Sequence, residues 1–373
     1  MADLNTGHFL MGCRADNLAK LLWENRAVLD RERLPQTALL CATAAALAPA
    51  AGLEKLLYDR RIMATPMEKD PVFVLGHWRS GTTYCQNMLS RDPQFGWADP
   101  VSTVMNPYCL LLRRALSSPV RQGIAGGRPM DNVQYAMDLP MEDGFALQSI
   151  NPRNINLMMA FPVSYGRYLG GVFLEDLPPR ELYKWRRDYA YILRKLNYVN
   201  HGKQLVLKSP DHTGHVRELW MLCPGAKFLN IHRDPYATIR SFVHMLLTQM
   251  DILHLTAVPE NAEELVEDVI VGVFERMYRS LFAIAPAIPE DQFAEVAYAD
   301  FCADPVGALS GVYERFGLDG FETARPHFEA YAAAQGRYQK NALAVSPRLR
   351  RKINARLGFY FEHYGYPMTE ADK

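Results

Sequence analysis

The sequence predicts an α/β fold: a mostly parallel central sheet flanked by helices, in three layers. Three observations predict it. Short apolar strand-like runs alternate with longer amphipathic ones, the pattern of consecutive βα units. Pro, Gly and Asp breakers bound these runs. Clusters of Gly, Arg, Lys and hydroxyl residues follow three of the strands directly, at the carboxyl edge where open parallel sheets gather ligands.

The elements follow in order. Residues 1–65 read as helical: Leu18, Leu21, Leu22 and Trp23 group on one face, and a second apolar run spans 39–57. Asp70 and Pro71 then break helix and open the first strand, Val72–Leu75, which enters a glycine loop and a helix from Thr82 to Leu89. Residues 94–170 are rich in Pro, Gly, Asn and Met, and read as irregular loops and short helices that shape a pocket. A helix over 181–199 puts Leu182, Trp185, Tyr189, Ile192, Leu193 and Leu196 on one side. The second strand, Gln204–Leu207, ends in Lys208-Ser209-Pro210. A helix over 215–222 stops at Pro224-Gly225. The third strand, Lys227–His232, turns at Arg233-Asp234-Pro235 into a helix over 236–250. A long helix over 263–284, a fourth strand over 292–298, a helix Pro305–Phe316 and a basic amphipathic helix over 346–364 complete the chain. The expected organisation is an N-terminal helical segment, 1–65, packed on a core domain, 66–373, with 94–170 as its pocket-forming insertion.

With 373 residues the chain can bury a large core. Lys+Arg and Asp+Glu both number 41, so nothing in the overall charge suggests a nucleic-acid footprint, and any anion site must be local. The six cysteines are scattered with no C-x-x-C pair, which fits free thiols in a reducing, cytoplasmic setting better than a disulfide scaffold or zinc site. No secretory signal is expected, because the N-terminus lacks a basic start followed by an apolar run. Residues 37–53 are uncharged, alanine-rich and interrupted by Pro49. They are slightly short for a membrane span. Two readings stay open: a buried or surface-packed helix pair, or a surface that makes peripheral contact with a membrane.

The most informative stretch is residues 72–83, Val-Phe-Val-Leu-Gly-His-Trp-Arg-Ser-Gly-Thr-Thr. A strand enters a loop in which four residues separate Gly76 from Gly81, and Thr82 and Thr83 follow. This is the phosphate-cradling pattern G-x-x-x-x-G-K-[ST] of P-loop proteins, with Thr82 where the lysine belongs and Arg79 carrying the positive charge. Such a loop is poorly built for a triphosphate but can hold a smaller phosphate group on backbone N–H groups and a helix N-terminus. Ser80 and the two threonines add hydroxyls, and Arg79 adds a fork suited to phosphate or sulfate oxygens. After the third strand, Arg233 is followed eight residues later by Ser241, an arginine and a hydroxyl placed to share a second phosphate.

Together these two segments resemble the cofactor motifs of sulfotransferases that use 3′-phosphoadenosine 5′-phosphosulfate (PAPS). The chain looks most like the broad bacterial group with G-H-W-R-S-G-T-T and K-S-P motifs. The resemblance implies a P-loop-type fold, metal-free transfer of a sulfuryl group from PAPS to an acceptor hydroxyl or amine, and release of adenosine 3′,5′-bisphosphate. It implies that the first loop holds the 5′-phosphosulfate and that Arg233 and Ser241 hold the 3′-phosphate. A single 5′-phosphate leaves no phosphate pair for a P-loop lysine to bridge, which accounts for Thr82. Lys208 resembles the family's catalytic lysine, whose charge stabilises the sulfuryl group and the leaving oxygen. Arg79 would steady the same group. Tyr298 in Tyr-Ala-Asp-Phe resembles a tyrosine near adenine, and Arg337 and Lys340 are placed to close over the 3′-phosphate.

A general base is also needed. Glu142, an acidic step between apolar residues of the insertion, His212, close after Lys208, and Asp99, beyond the first helix, are the candidates, in that order. The acceptor stays open among lipid, carbohydrate and small-metabolite hydroxyls, with a hint of a greasy or aromatic one in the Met, Tyr and Phe residues of 94–170. The rival functional readings are a P-loop kinase or NTPase, and a non-catalytic nucleotide-binding module.

Overall fold

The computed structural model of the protein describes residues 4–125, 136–335 and 344–370. Two N-terminal helices come first, α1 (Ala15–Asn25) and α2 (Leu34–Ala64), then strand β1 (Val72–Leu75), helix α3 (Thr82–Leu89) and a two-residue strand β2 (Phe95–Gly96). The insertion holds α4 (Pro100–Val104), α5 (Arg113–Ala125), α6 (Gly144–Gln148) and α7 (Tyr165–Tyr168). After α8 (Pro179–Val199) come β3 (Gln204–Leu207), α9 (Val216–Leu222), β4 (Lys227–His232), α10 (Pro235–Leu253), α11 (Ala262–Ile284) and β5 (Phe293–Ala297). Four helices finish the chain: α12 (Tyr298–Ala303), α13 (Pro305–Phe316), α14 (Phe321–Gln335) and α15 (Pro347–Tyr364).

The sheet runs β2-β3-β1-β4-β5, and every neighbouring pair is parallel. β1 lies at its centre, bonded to β3 and β4. Its alternate side chains serve different cores: Phe73 and Leu75 join the cluster under α8, α10, α11 and α15, while Val72 and Val74 join the cluster under α3, α13 and α14. A strand buried on both faces reads as a continuous apolar run, which is why Val-Phe-Val-Leu was legible. β2 was not expected, because two residues carry no period; it forms because Phe95 and Gly96 fall in register with Gln204 and Leu205. α12 and α14 were also not anticipated.

The apolar N-terminal run is one continuous helix, not a pair. α2 passes through Pro49; Pro49 and Ala45 are both exposed, so the carbonyl that proline cannot bond lies on the outward side. α2 is tied down by a buried ion pair between Glu54 and Lys195 of α8, while Glu54 Oε2 accepts the Leu110 and Leu111 backbone N–H groups at 2.7 and 2.9 Å. Its other side stays open, with Leu53, Leu56 and Leu57 exposed. Among the described residues α2 is the one helix long and apolar enough to cross a membrane.

Candidate active site

The loop after β1 reverses the chain in a conformation few residues adopt. Gly76 and Gly81 have φ of 136° and 106°, and Arg79, with a Cβ, has φ of 73°. The left-handed region is costly for such a residue, so the surroundings must hold it there. They do so through three contacts. Arg79 Nε donates to Ser241 Oγ at 3.0 Å, and the Arg79 carbonyl accepts from Arg233 Nη1 at 3.0 Å. The preceding residue, Trp78, stacks on Phe242 with centroids 5.0 Å apart and planes 2° from parallel. Two consecutive loop residues thus engage two consecutive residues of α10. Gly76 N–H also donates to Thr213 Oγ1 at 2.8 Å.

Both glycines are required by space as well as by φ. A Cβ on Gly81 would come 2.2 Å from Tyr298 Cδ2, and one on Gly76 would come 2.5 Å from the Ile231 carbonyl oxygen. Gly81 is the N-cap of α3, so no side chain satisfies the first-turn N–H groups there. A helix start of this kind offers those donors to an anion. The Ser80 hydroxyl is buried with no hydrogen-bond partner. Arg233 lies over the Tyr298 ring at 4.4 Å, linking the start of α12 to the loop.

Across the β1–β3 edge stands Lys208. Its Nζ is 2.6 Å from Glu142 Oε1 and 3.3 Å from Thr83 Oγ1. The lysine side chain is 3% exposed and that of Glu142 19%, so Glu142 and Thr83 form the surface in front of it. A buried lysine is stable only when paired, and here the pairing carboxylate belongs to the insertion.

In front of them is a cavity of about 400 Å³, whose lining includes Glu142 and Thr83 while Lys208 stands directly behind these two. One part of its lining is polar and aromatic: Arg79, Gly81, Thr82, Thr83, Arg233 and Tyr298. The other is apolar: Phe145, Ile155, Met158, Met159, Met245 and Leu246. Glu142 also lines the cavity. Tyr331 and Gln335 of α14 also line it; no local motif marks them, and Tyr331 reaches the site by stacking with Tyr84 at 6.4 Å between centroids.

Two of the three candidate bases stand off the cavity lining. Asp99 caps α4, accepting from the Val101 and Ser102 N–H groups at 3.0 and 3.1 Å, and pairs with Arg113 at 2.7 Å; its carboxylate is committed to a helix start and is not on the cavity wall. His212 is fully buried behind the wall, with Nε2 2.8 Å from Asp143 Oδ2 and Nδ1 3.3 Å from His215 Nε2. Burial would lower its affinity for a proton, but the Asp143 carboxylate outweighs burial and holds the imidazole above its ordinary value. A ring so engaged cannot reach a hydroxyl in the cavity. Arg337 and Lys340 lie outside the described residues. Ser241 accepts from Arg79 Nε at 3.0 Å and keeps its own hydroxyl proton to donate.

Among the described residues no group of His, Cys, Asp and Glu has the arrangement of a metal site. A profile of the sulfotransferase family matches residues 71–323. The chain is 27% identical over 358 residues to omega-hydroxy-beta-dihydromenaquinone-9 sulfotransferase Stf3 from Mycobacterium bovis and from Mycobacterium tuberculosis, covering 95% of this chain and 90% of each relative. Its fold matches the crystal structures of two mycobacterial sulfotransferases. STF9 from Mycobacterium avium superposes with a TM-score of 0.69 at 16% identity, covering 97% of this chain and 98% of that one. STF1 from Mycobacterium tuberculosis gives 0.65 at 20% identity, covering 92% and 94%.

Proposed function

The chain belongs to the sulfotransferase family, and from that premise we propose that it moves a sulfuryl group from PAPS to the hydroxyl of an apolar acceptor. The observation that carries this is the Lys208–Glu142 pair, 2.6 Å apart, set between an anion-binding loop and an apolar pocket wall. The donor supplies the sulfuryl group: a bond from the acceptor oxygen to sulfur forms, the bond from sulfur to the 5′-phosphate oxygen breaks, and its electron pair leaves on the phosphate.

The chain's own residues have separable tasks. The loop N–H groups, Ser80, Thr82 and Thr83 bind the 5′-phosphate, and Arg233 and Ser241 hold the 3′-phosphate. Arg79 and Lys208 stabilise negative charge as it shifts from the sulfuryl oxygens to the leaving oxygen. Glu142 takes the acceptor proton. Tyr298 packs beside the adenine. No metal is required in this scheme, because fixed cations supply the charge.

The acceptor class rests on the pocket wall. Phe145, Ile155, Met158, Met159, Met245 and Leu246 offer no charge and little hydrogen bonding, so they suit a lipid-like or aromatic hydroxyl compound rather than a sugar. The relatives named for a menaquinone derivative fit that choice. On the same reading the protein is cytoplasmic, and the open side of α2 rests on a membrane that holds such acceptors.

Incubation with ³⁵S-labelled PAPS and a cell lipid extract, without divalent metal, is expected to label an apolar compound. Label transfer only to water-soluble carbohydrate overturns the acceptor class. Tight binding of Mg·ATP in preference to adenosine 3′,5′-bisphosphate overturns the donor.

A further inference from the structure

Behind Glu142 lies a buried set of side chains that the proposed reaction does not use. Three consecutive residues of the insertion face the turn that carries Lys208. Glu142 meets Lys208 at 2.6 Å. Asp143 Oδ2 meets His212 Nε2 at 2.8 Å. Gly144 lies so near Ser209 that a Cβ on it would come 2.4 Å from the Ser209 hydroxyl. Tyr189 of α8 also donates to Asp143 Oδ2, at 2.7 Å, and Asn154 Nδ2 donates to the Gly144 carbonyl at 3.0 Å.

The proton positions in this set follow from which groups can accept. His215 Nδ1 is 3.0 Å from the Val172 carbonyl; a carbonyl only accepts, so Nδ1 carries the proton. Burial pushes the His215 imidazole down to about 3, so that ring is neutral and its Nε2 accepts. His212 Nδ1 faces this nitrogen at 3.3 Å and therefore donates. His212 Nε2 faces a carboxylate oxygen and donates as well. With both nitrogens protonated, His212 is an imidazolium. The other ionisable groups around it are Asp211, which precedes it, the Tyr189 hydroxyl at 3.1 Å, and the Glu142 carboxylate.

We propose that the charged His212–Asp143 couple is a positioning clasp that sets Glu142 opposite Lys208, and that His212 never takes the acceptor proton. Asp143 is the N-cap of α6 and its carbonyl accepts the Ala146 N–H at 2.9 Å. Fixing its side chain therefore fixes both the start of that short helix and the residue just before it. The carboxylate of Asp143, fully buried, is kept ionised against burial by His212 and Tyr189. Breaking one half of such a pair leaves a buried charge uncompensated, whereas replacing both by neutral partners does not.

This inference rests on Glu142 and Lys208 acting as proposed above, and two arms test it separately from that reading. Protein labelled with ¹⁵N-histidine is examined by NMR at pH 7.5, and one ring with both nitrogens protonated is expected. A spectrum in which every ring is neutral overturns the clasp, with or without activity. In the second arm, His212→Gln lowers kcat by roughly 10²-fold, the scale of a small misplacement of a reacting group, with adenosine 3′,5′-bisphosphate affinity unchanged. The double variant His212→Gln/Asp143→Asn keeps a hydrogen bond without either charge and regains most of the lost kcat and melting temperature. A His212→Gln enzyme as fast as wild type, or a double variant no better than the single one, overturns the clasp. Wild-type protein that transfers no sulfuryl group brings down the proposed reaction instead, while the NMR arm still reads the proton positions.

Discussion

Arg79 Nε donates to Ser241 Oγ at 3.0 Å, joining two motifs 162 residues apart in the chain. The same arginine accepts a hydrogen bond from Arg233 through its carbonyl. One loop residue thereby links the end of β1 to both elements that follow β4. The loop after β1 and the start of α10 are therefore one structural unit, and a change in either is felt by the other.

Arg79→Ala removes a guanidinium from this unit and is expected to weaken adenosine 3′,5′-bisphosphate by about 10- to 100-fold, the worth of one or two charge-assisted hydrogen bonds. Ser241→Ala is expected to weaken it less, since the arginine remains. Titration calorimetry with both variants checks the order. Equal affinity of Arg79→Ala and wild type contradicts the assignment.

Lys208→Ala and Glu142→Gln separate chemistry from binding. Removing a fixed cation aimed at developing charge costs about 10²–10³ in kcat, and removing a general base costs about 10²–10⁴. Both variants are expected to bind the bisphosphate, because neither residue belongs to the loop. Single-turnover transfer of the labelled group measures the loss.

Gly81→Ala is expected to impair donor binding and stability together. Its Cβ would fall 2.2 Å from the Tyr298 ring at a φ of 106°, so the ring that Arg233 covers has to move. Thermal melts with and without adenosine 3′,5′-bisphosphate should show a lower midpoint and a smaller ligand-induced rise.

Acid stability depends on His77 inside the loop. Its ring is fully buried against Trp78, Phe242 and Phe274, and Nδ1 lies 2.9 Å from the Trp78 carbonyl. Burial lowers its pKa from 6.5 to about 3. The folded state thus binds this proton less readily than the unfolded chain. The contribution is fully present above pH 6.5 and is lost as pH falls towards 3, at about 1.4 kcal/mol per pH unit for one proton. Denaturant melts across this window should show a shallower slope for His77→Phe than for wild type.

The open side of α2 makes a testable surface. Leu53 and Leu56 are 45% and 80% exposed, and the double variant Leu53→Glu/Leu56→Glu puts charges there without touching the Glu54–Lys195 pair. Sedimentation with lipid vesicles is expected to carry down wild type and leave this variant in solution. Equal sedimentation of the two rules out α2 as the contact.

Much of this architecture was legible along the chain because its signals are local. Val72–Leu75, Thr82–Leu89, Gln204–Leu207, Lys227–His232 and Pro305–Phe316 stand at their expected limits. Each combines an apolar run with a Pro, Gly or Asp boundary, and such signals need no partner to be read. β2 was missed because two residues form a strand only by matching β3. The continuity of α2 is not legible locally, because the effect of Pro49 depends on which side of the helix meets solvent.

For the site, the sequence by itself determined the residue types and their places at strand ends: the glycine loop, Arg79, Lys208, Arg233 and Ser241. Backbone demands tie those to neighbours a few residues away. The tertiary structure alone decided which carboxylate faces the lysine. The sequence ranks Glu142 ahead of His212 and Asp99 as the base but supplies no distances. Packing turned Asp99 into a helix cap, closed His212 behind Asp143 and left Glu142 2.6 Å from Lys208. Proton transfer depends on distance and access, and neither is encoded in any one stretch of chain; both arise only when the insertion folds back over the carboxyl edge of the sheet.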